Sequence, residues 1–303
     1  MSVHFLHHSK EKHMPSHIIG AINMDGYNVT SDLAYLNSIT KLSEEYDEFA
    51  QGYWKNLSLF NSSGNKDDSQ YKNCATSLPT EYMAHCPNIM RMLNDNFNFA
   101  NVKMVRARNL IEGMVIPHRD FVEFDSNVTY FRVFVPIEYN ADSFHSDEHA
   151  VFQMRPGEVW FLDAAINHAA INFSNKSRMF ICLDFVFDKA FKDTDIFHPA
   201  ANISKGSRHI HIDRPDMPKE KSNEIIAAIG ETISKENFKN YLFEYSKYHF
   251  KHNISVTACY DWLIQGATVA KNQAVVEKSK ALKKYLTEHR EIGERFTIER
   301  WEN

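Results

Sequence analysis

The chain has 303 residues, of which 43% are apolar, and a formal net charge of −5 at pH 7. A chain of this length and composition can bury a full hydrophobic core, and we expect one large domain plus a smaller one. The acidic balance gives no electrostatic basis for binding nucleic acid, and no apolar run is long enough to span a membrane. The four cysteines are scattered and no secretory signal is recognisable, so we expect reduced thiols and a cytoplasmic location.

The N-terminal third of the chain mixes strand and helix signals. Residues 1–16 are rich in histidine and show no regular apolar spacing, so we expect a disordered tail there. Ser31 can cap one helix, and Pro87 suits the first turn of another. We assign residues 17–200 to a single domain.

Strand signals dominate residues 101–190. A tight turn is predicted at Arg155-Pro156-Gly157-Glu158, between two of these strands. Many short strands with turn signals favour a sandwich or a barrel over a parallel sheet. The predicted strands cover residues 102–110, 114–121, 130–139, 150–154, 158–162 and 178–187.

Helical patterns take over towards the C-terminus. The Pro, Gly and Ser content of residues 199–218 marks a boundary, and we assign residues 201–303 to a helical domain. The aromatic-rich helix at 238–245 is expected to form either core or a homodimer contact. Apolar residues recur with helical spacing over residues 224–229, 238–250, 260–263 and 274–286.

The most informative motif is His118-Arg119-Asp120, followed by His168 and Arg178. Strand side chains alternate, so a His-x-Asp pair on a strand places both side chains on one face. A later histidine completes the two-histidine, one-carboxylate face that binds non-heme Fe(II) and leaves positions open. Arg178 can clamp a carboxylate through two parallel hydrogen bonds. Together these features describe an oxygenase that uses 2-oxoglutarate, the alternative being ordinary polar strand residues.

Two further His-x-Asp triplets test the specificity of this motif. His145-Ser146-Asp147 is followed by His198 and Arg208 at similar spacing, but both of those lie in loop-like sequence. His211-Ile212-Asp213 has no arginine at a comparable distance after its downstream histidines. The flanking strand patterns therefore favour the His118 triplet.

Several longer stretches resemble the bacterial hydroxylases of free L-proline, above all the cis-3-hydroxylases, with the cis-4-hydroxylases as near relatives. The resemblance covers nearly the whole chain after residue 17. It implies a mainly β protein with helices, built on a double-stranded β-helix (a jelly roll) and followed by a C-terminal helical domain. The matching stretches are EEYDEF at 44–49, GYWKN at 52–56, RARNL at 106–110, VIPHRDFVE at 115–123 and MRPGEVWFLDAA at 154–165.

The resemblance also implies the cofactors. Fe(II) would be held by His118, Asp120 and His168. The cosubstrate 2-oxoglutarate would meet Arg178, and His145 matches a family position near it. Oxygen would convert 2-oxoglutarate to succinate and CO2 while the substrate is hydroxylated, with ascorbate helpful in the test tube.

Candidate substrate contacts are less well specified. Arg106 and Arg108 are two residues apart and so share one strand face. The resemblance favours Arg108 and Arg132 as contacts to substrate or cosubstrate, although solvated arginines are the plain alternative. Trp160 is a further candidate, with a core position as its alternative.

Three classes of function remain open at this stage. The first is hydroxylation of free L-proline or a close cyclic imino acid such as L-pipecolate, at carbon 3 or carbon 4. The second is hydroxylation of a peptide side chain, which would require an open groove. The third is a jelly-roll metal-binding module or isomerase, for which the arginine after the last metal ligand would have no use.

Overall fold

The computed structural model of the protein describes residues 16–41, 43, 45–121, 128–206, 210–291 and 294–301. Of the predicted N-terminal tail, only Ser16 falls among them; it is buried, and its N–H donates to Asp147. Within the described residues, none of the helices combines the length and apolar character that a membrane span requires.

The strands come first along the chain and most of the helices last. The described residues contain twelve strands: β1 (His17–Ile22), β2 (Ala50–Asn61), β3 (Leu78–Pro79), β4 (Val102–His118), β5 (Thr129–Pro136), β6 (Ser143–Ser146), β7 (Val151–Gln153), β8 (Glu158–Phe161), β9 (His168–Asn172), β10 (Met179–Phe187), β11 (Ile203–Ser204) and β12 (Ile210–His211). The α-helices are α1 (Thr30–Ser38), α2 (Pro87–Asn96), α3 (Lys219–Thr232), α4 (Phe238–Ser246), α5 (Tyr248–Lys251), α6 (Ala258–Val269) and α7 (Gln273–Thr287). Short 3₁₀ turns occur at Met24–Gly26, Glu45–Glu48, Glu81–His85 and Asp193–Ile196.

The strands form a jelly roll whose two halves share strand β4. The strand order is β11-β1-β8-β5-β10-β4-β9-β6-β7-β12, with β2 along the other edge of β4. The first part of β4 pairs with β10, and the part from Gly113 onward pairs with β9, so β4 belongs to both halves. Where the two parts of β4 meet, a Cβ on Gly113 would lie 1.8 Å from the carbonyl oxygen of Gln51, so only glycine allows β2 and β4 to approach this closely.

Buried polar groups fix the N-terminal helices to the roll. Nζ of Lys55, on β2, donates to the carbonyl oxygens of Leu36, Asn37 and Ile39 at the C-terminal end of α1. The carboxylate of Asp32, on α1, accepts the N–H groups of Asn88 and Ile89 in the first turn of α2. Orphan backbone groups at both helix ends are thereby satisfied.

The described residues form four apolar clusters, the smallest of which is Trp54, Leu110 and Val115. The other three connect the main parts of the molecule. One fills the interior of the roll, where Trp160 of β8 stacks on Phe152 of β7 with ring centroids 4.8 Å apart. A second lies between the roll and the helices α1 and α2. The third joins the C-terminal helices to the outer face of β4 and β9, through residues such as Ile116 and Ile171.

Most predicted elements are present, with some differences in extent. The helix that begins at Pro87 and the four C-terminal helical stretches are confirmed, although residues 238–250 divide into α4 and α5. The helix predicted from Ser31 is present, but Ser31 does not cap it, because α1 begins at Thr30 and Val29 is its N-cap. The two strands predicted at 102–110 and 114–121 are one strand, which ends at His118. Residues 203–204 and 210–211 lie in the segment assigned to the helical domain but add edge strands to the roll. Phe238, Leu242 and Phe243 pack inside the helical core.

Candidate metal centre

A cavity of about 590 Å³, part of it open to solvent, lies between the two halves of the roll. Side chains of β2, β4, β5, β6, β9 and β10 contribute to its walls. The walls are largely apolar with a few convergent polar groups, which is the usual composition of a small-molecule site.

Two histidines face each other in this cavity. His118 ends β4 and His168 begins β9, and the two residues are paired in the ladder with their ring centroids 4.3 Å apart. Each ring is held in the same way, because Nδ1 of His118 lies 2.8 Å from the carbonyl oxygen of Ile116 and Nδ1 of His168 lies 2.9 Å from that of Ile166. A carbonyl accepts only from a protonated Nδ1, so both rings present Nε2 as the electron-pair donor.

Asp120 supplies a carboxylate oxygen as the third candidate metal ligand. It lies two residues beyond the end of β4, so the expectation that both members of the His-x-Asp pair lie on a strand is wrong. Its backbone N–H instead bonds to the carbonyl oxygen of Ala164. The donor atoms of His118, Asp120 and His168 all lie within 4.8 Å of one another.

Asp120 belongs to a buried chain of charges. Its Oδ2 accepts from Nη1 of Arg132, whose Nε donates to Oδ1 of Asp184 at 2.7 Å. Arg106 donates to the other oxygen of Asp184. Burial opposes ionisation, but the Arg132 charge holds the pKa of Asp120 well below its usual range. Burial together with the nearby His118 lowers the pKa of His168 to about 3, which keeps its ring neutral.

Arg178 and His145 form a second polar group in the cavity. Nη1 of Arg178 lies 3.2 Å from Nδ1 of His145, and the guanidinium lies 4.6 Å from the centroid of the Phe180 ring. Burial and the Arg178 charge hold the pKa of His145 well below its usual range, so its neutral Nδ1 accepts from the guanidinium. Burial and the nearby Arg108 lower the pKa of Arg178 itself to about 9.

Within the described part of the chain, Arg108 is the other cation that lines the cavity without a carboxylate partner. Its guanidinium carbon lies 5.9 Å from the ring centroid of Trp54 and 5.7 Å from that of Phe134. Among the described residues, Nε of both Arg108 and Arg178 lacks a hydrogen-bond partner, and neither arginine forms an ion pair. Arg178 is buried and Arg108 is half-buried. A cation withdrawn from water without an anionic partner is costly, so these two arginines together mark the cavity as a site for anionic groups.

Two of the predicted substrate contacts lie elsewhere. Arg106 does not line the cavity, because its guanidinium is buried against Asp184. Trp160 is fully buried in the interior cluster, where its Nε1–H donates to Glu158 at 2.8 Å. These positions do not support direct substrate contact by either residue. Arg132 does line the cavity, but its guanidinium is held between two carboxylates.

The competing triplets do not form metal sites in the described part of the chain. His198 and His211 are exposed, and Asp147 accepts the backbone N–H groups of His149 and Ala150 within a turn. Arg208 lies outside the described residues.

The cavity also includes residues that received no role from the sequence. Trp54 and Asn56 project into it from β2, where Asn56 is the ladder partner of Arg108. Phe134 and Phe180 form part of the apolar wall. Alternation along GYWKN at 52–56 was the available signal, since Trp54 and Asn56 share one strand face while Lys55 takes the other.

The donor set fits Fe(II). Two imidazole nitrogens and one carboxylate oxygen, gathered on one side of a cavity, are the ligands of non-heme Fe(II) sites that keep positions open for other molecules. The second carboxylate oxygen and both Nδ1 atoms are engaged by protein groups, as such sites require.

A jelly roll with this donor set at its mouth and a buried arginine in the same cavity defines an Fe(II)- and 2-oxoglutarate-dependent dioxygenase. A family model described as "Aspartyl/Asparaginyl beta-hydroxylase" matches residues 20–187, and one described as "L-proline 3-hydroxylase, C-terminal" matches residues 193–294. L-proline cis-3-hydroxylases 2 and 1 of a Streptomyces species are 40% and 37% identical, each covering 95% of this chain and all of the relative. The L-proline cis-4-hydroxylase of Rhizobium meliloti (strain 1021) is 28% identical over 94% of this chain and all of that protein. The chain belongs to the L-proline 3-hydroxylase family.

Proposed function

We propose that this protein hydroxylates free L-proline, at the cis-3 position, with conversion of 2-oxoglutarate and O2 to succinate and CO2. The relatives named as cis-3-hydroxylases are 40% and 37% identical, against 28% for the cis-4-hydroxylase. This difference supports carbon 3 over carbon 4.

The proposed roles follow from the positions of the side chains. His118, Asp120 and His168 hold Fe(II), which with 2-oxoglutarate and O2 supplies the oxidising power for the reaction. Arg178 receives the distal carboxylate of 2-oxoglutarate, since it is buried and carries no anionic partner among the described residues. His145 orients that guanidinium through its neutral Nδ1.

The assignment of the substrate rests mainly on Arg108, which has no anionic partner among the described residues. Two arginines in the cavity have no anionic partner among the described residues. If Arg178 binds the carboxylate of the cosubstrate, Arg108 is left for the carboxylate of the substrate. The nearby Trp54 and Phe134 provide apolar faces against which a saturated ring can pack. A carboxylate that meets Arg108 and an apolar ring that packs beside it are the features of a free imino acid.

A peptide substrate fits this cavity less well. A residue within a peptide has no free carboxylate on its backbone, so the half-buried Arg108 would stay without an anionic partner when a peptide was bound. The same reasoning leaves L-pipecolate as a candidate, because one extra methylene in an apolar pocket changes binding by only about 1–3 kcal/mol.

Substrate-dependent formation of succinate tests the proposal. Purified protein with Fe(II), ascorbate and 2-oxoglutarate would receive L-proline, L-pipecolate, or a proline-containing peptide with blocked termini. We expect the free imino acids, and L-proline most strongly, to stimulate succinate formation above the level without substrate. Stimulation by the peptide alone would refute the assignment of Arg108, and no succinate under any condition would favour a non-catalytic metal-binding module.

The proposed location is the cytoplasm. All four cysteines are free thiols, and three of them, Cys86, Cys182 and Cys259, are buried. Unpaired cysteines are typical of a reducing compartment. Association into a homodimer stays a prediction.

A further inference from the structure

The strand that carries His118 contains a β-bulge immediately before this residue. Between the ladder pairs Val115↔Ala170 and His118↔His168, β4 advances three residues while β9 advances two. Bulges of this kind re-aim the side chains that follow them.

Without the bulge, His118 would face away from the cavity. Side chains alternate along a strand, so His118 would share the face of Met114 and Ile116. Both of these residues pack into the helical core, whereas Val115 lines the cavity. The extra residue in β4 therefore brings His118 to the cavity side.

The C-terminal helices hold the two peptide groups on either side of the His118 Cα. The hydroxyl of Tyr260, on α6, donates to the carbonyl oxygen of Pro117 at 2.5 Å. The carbonyl oxygen of Leu286, in the last turn of α7, accepts the N–H of Arg119 at 2.8 Å. When both flanking peptide planes are fixed, the direction of the His118 Cα–Cβ bond is fixed as well.

Both contacts come from rigid surroundings. Tyr260 and Leu286 are 0% and 1% exposed and belong to the cluster that joins the helices to β4 and β9. Burial holds the pKa of Tyr260 well above its ordinary value, so its hydroxyl stays a donor. Leu286 lies among the last four residues of α7, whose carbonyl oxygens have no partner within the helix.

We propose that the C-terminal helices position the metal ligand His118, and that Tyr260 is a positioning residue through its hydroxyl bond to Pro117. The proposal rests on the metal-binding role of His118 within the proposed function. It gives the helical segment a task in the reaction centre, although α6 and α7 supply no side chain to the cavity wall.

The test is the variant Tyr260→Phe, which removes the donor and keeps the ring. Tyr285→Phe is the matched control: its hydroxyl also belongs to the helical segment, but it donates to the carbonyl oxygen of Glu294 and not to that of Pro117. Mn(II) would be titrated into metal-free protein and free Mn(II) followed by electron paramagnetic resonance, without 2-oxoglutarate. Circular dichroism would establish that each variant unfolds cooperatively.

We expect Tyr260→Phe to weaken Mn(II) binding about 10-fold, at the lower end of the effects known for groups that orient metal ligands. The control should bind Mn(II) within about twofold of the wild-type protein. Replacing Tyr260 with para-aminophenylalanine, which restores a donor on the same ring, should recover most of the affinity.

Two results would overturn the proposal. One is Mn(II) binding by Tyr260→Phe equal to that of the control. The other is loss of the whole fold in Tyr260→Phe, since the hydroxyl would then serve the core rather than the ligand. Failure of the wild-type protein to bind Mn(II) would be a different result, because it would contradict the proposed metal site itself.

Discussion

The carboxylate of Asp120 is shared between the histidine pair and Arg132. Oδ1 lies 3.4 Å from Nε2 of His118, whereas Oδ2 accepts a hydrogen bond from Nη1 of Arg132. Arg132 is held from its other side by Asp184, so the carboxylate is fixed with Oδ1 beside Nε2 of His118, where it could bind a metal ion. The arginine thus orients a proposed ligand while forming part of the cavity wall.

Replacing Arg132 with Met should weaken metal binding about 10- to 100-fold, because Asp120 loses the group that orients it. It should also destabilise the protein by about 3–5 kcal/mol, since two buried carboxylates lose a partner. Mn(II) titration and urea unfolding measure the two effects. The control is Arg91→Met, which removes an exposed arginine bonded to the carbonyl oxygen of Gly26 and should cost about 1 kcal/mol at most. Equal effects in the two variants would contradict the role of Arg132.

Asp184→Asn should reveal a stability difference that depends on pH. Burial opposes ionisation, but Arg132 and Arg106 hold the pKa of Asp184 below its ordinary value of 3.8. The carboxylate therefore contributes stability that is present above about pH 4 and declines as the pH falls below the unfolded-state pKa. The difference in unfolding free energy between wild type and variant should be constant from pH 5 to pH 8 and about 1 kcal/mol smaller at pH 3. Urea unfolding at these pH values tests it, and a difference independent of pH would be inconsistent with the ion pairs.

Arg178→Met should impair the binding of 2-oxoglutarate without destabilising the protein. Each charge-assisted hydrogen bond contributes about 1.5–3 kcal/mol, so the KM for 2-oxoglutarate should rise at least 10-fold. The metal-free variant should be as stable as the wild type or more stable, by about 0.5–2 kcal/mol, because a buried cation without an anionic partner among the described residues is removed. Steady-state kinetics and thermal unfolding measure these quantities. An unchanged KM would place the cosubstrate carboxylate elsewhere.

Arg108→Met should impair the use of L-proline more than the uncoupled decarboxylation of 2-oxoglutarate. The variant retains the metal ligands and Arg178, so succinate should still form slowly without imino acid while the KM for L-proline rises at least 10-fold. Arg106→Met serves for comparison, because Arg106 lies outside the cavity and its loss should reduce stability rather than selectivity. Parallel losses of both reactions in Arg108→Met would make this residue a cosubstrate or structural contact.

Single replacement of His118, Asp120 or His168 by Ala should abolish turnover while leaving a folded protein. Each substitution removes one of the three donors gathered at the cavity, and the remaining two cannot hold Fe(II) in the same geometry. Circular dichroism establishes folding, and succinate formation measures turnover. Full activity in Asp120→Ala would remove this residue from the metal site.

The strand pattern predicted a sandwich or a barrel, and the His118 motif predicted the three candidate metal donors, because both depend on the residue pattern of short segments. The jelly roll itself was implied by the family resemblance. The ion-pair partners of buried charged side chains could not be predicted from such local patterns. Asp184 is the ladder partner of Arg132 across β5 and β10, although the two are far apart in the sequence. The resemblance favoured Arg108 and Arg132 as contacts, and Arg106 entered because it shares a strand face with Arg108. The structure shows instead that Arg106 and Arg132 both pair with Asp184, while Arg108 pairs with no carboxylate among the described residues.

Two structural features of the chain could not be recognised from the sequence. The long strand β2 contains Gly52, Lys55 and Asn56, which are not typical strand formers, so its cavity-facing side was not recognised. The bulge before His118 was signalled only by Pro117, since proline within a strand often marks an irregularity. The contribution of α6 and α7 to this bulge depends on tertiary contacts that no local pattern contains.

Product analysis with L-proline tests the central claim most directly. Wild-type protein would be supplied with Fe(II), ascorbate, 2-oxoglutarate and oxygen, and the products would be examined by mass spectrometry and NMR. We predict one oxygen atom added to L-proline for each succinate formed, with the hydroxyl group in the cis orientation at carbon 3. Hydroxylation at carbon 4 would contradict the regiochemistry, and succinate without any hydroxylated imino acid would contradict the substrate assignment while leaving the iron site in place.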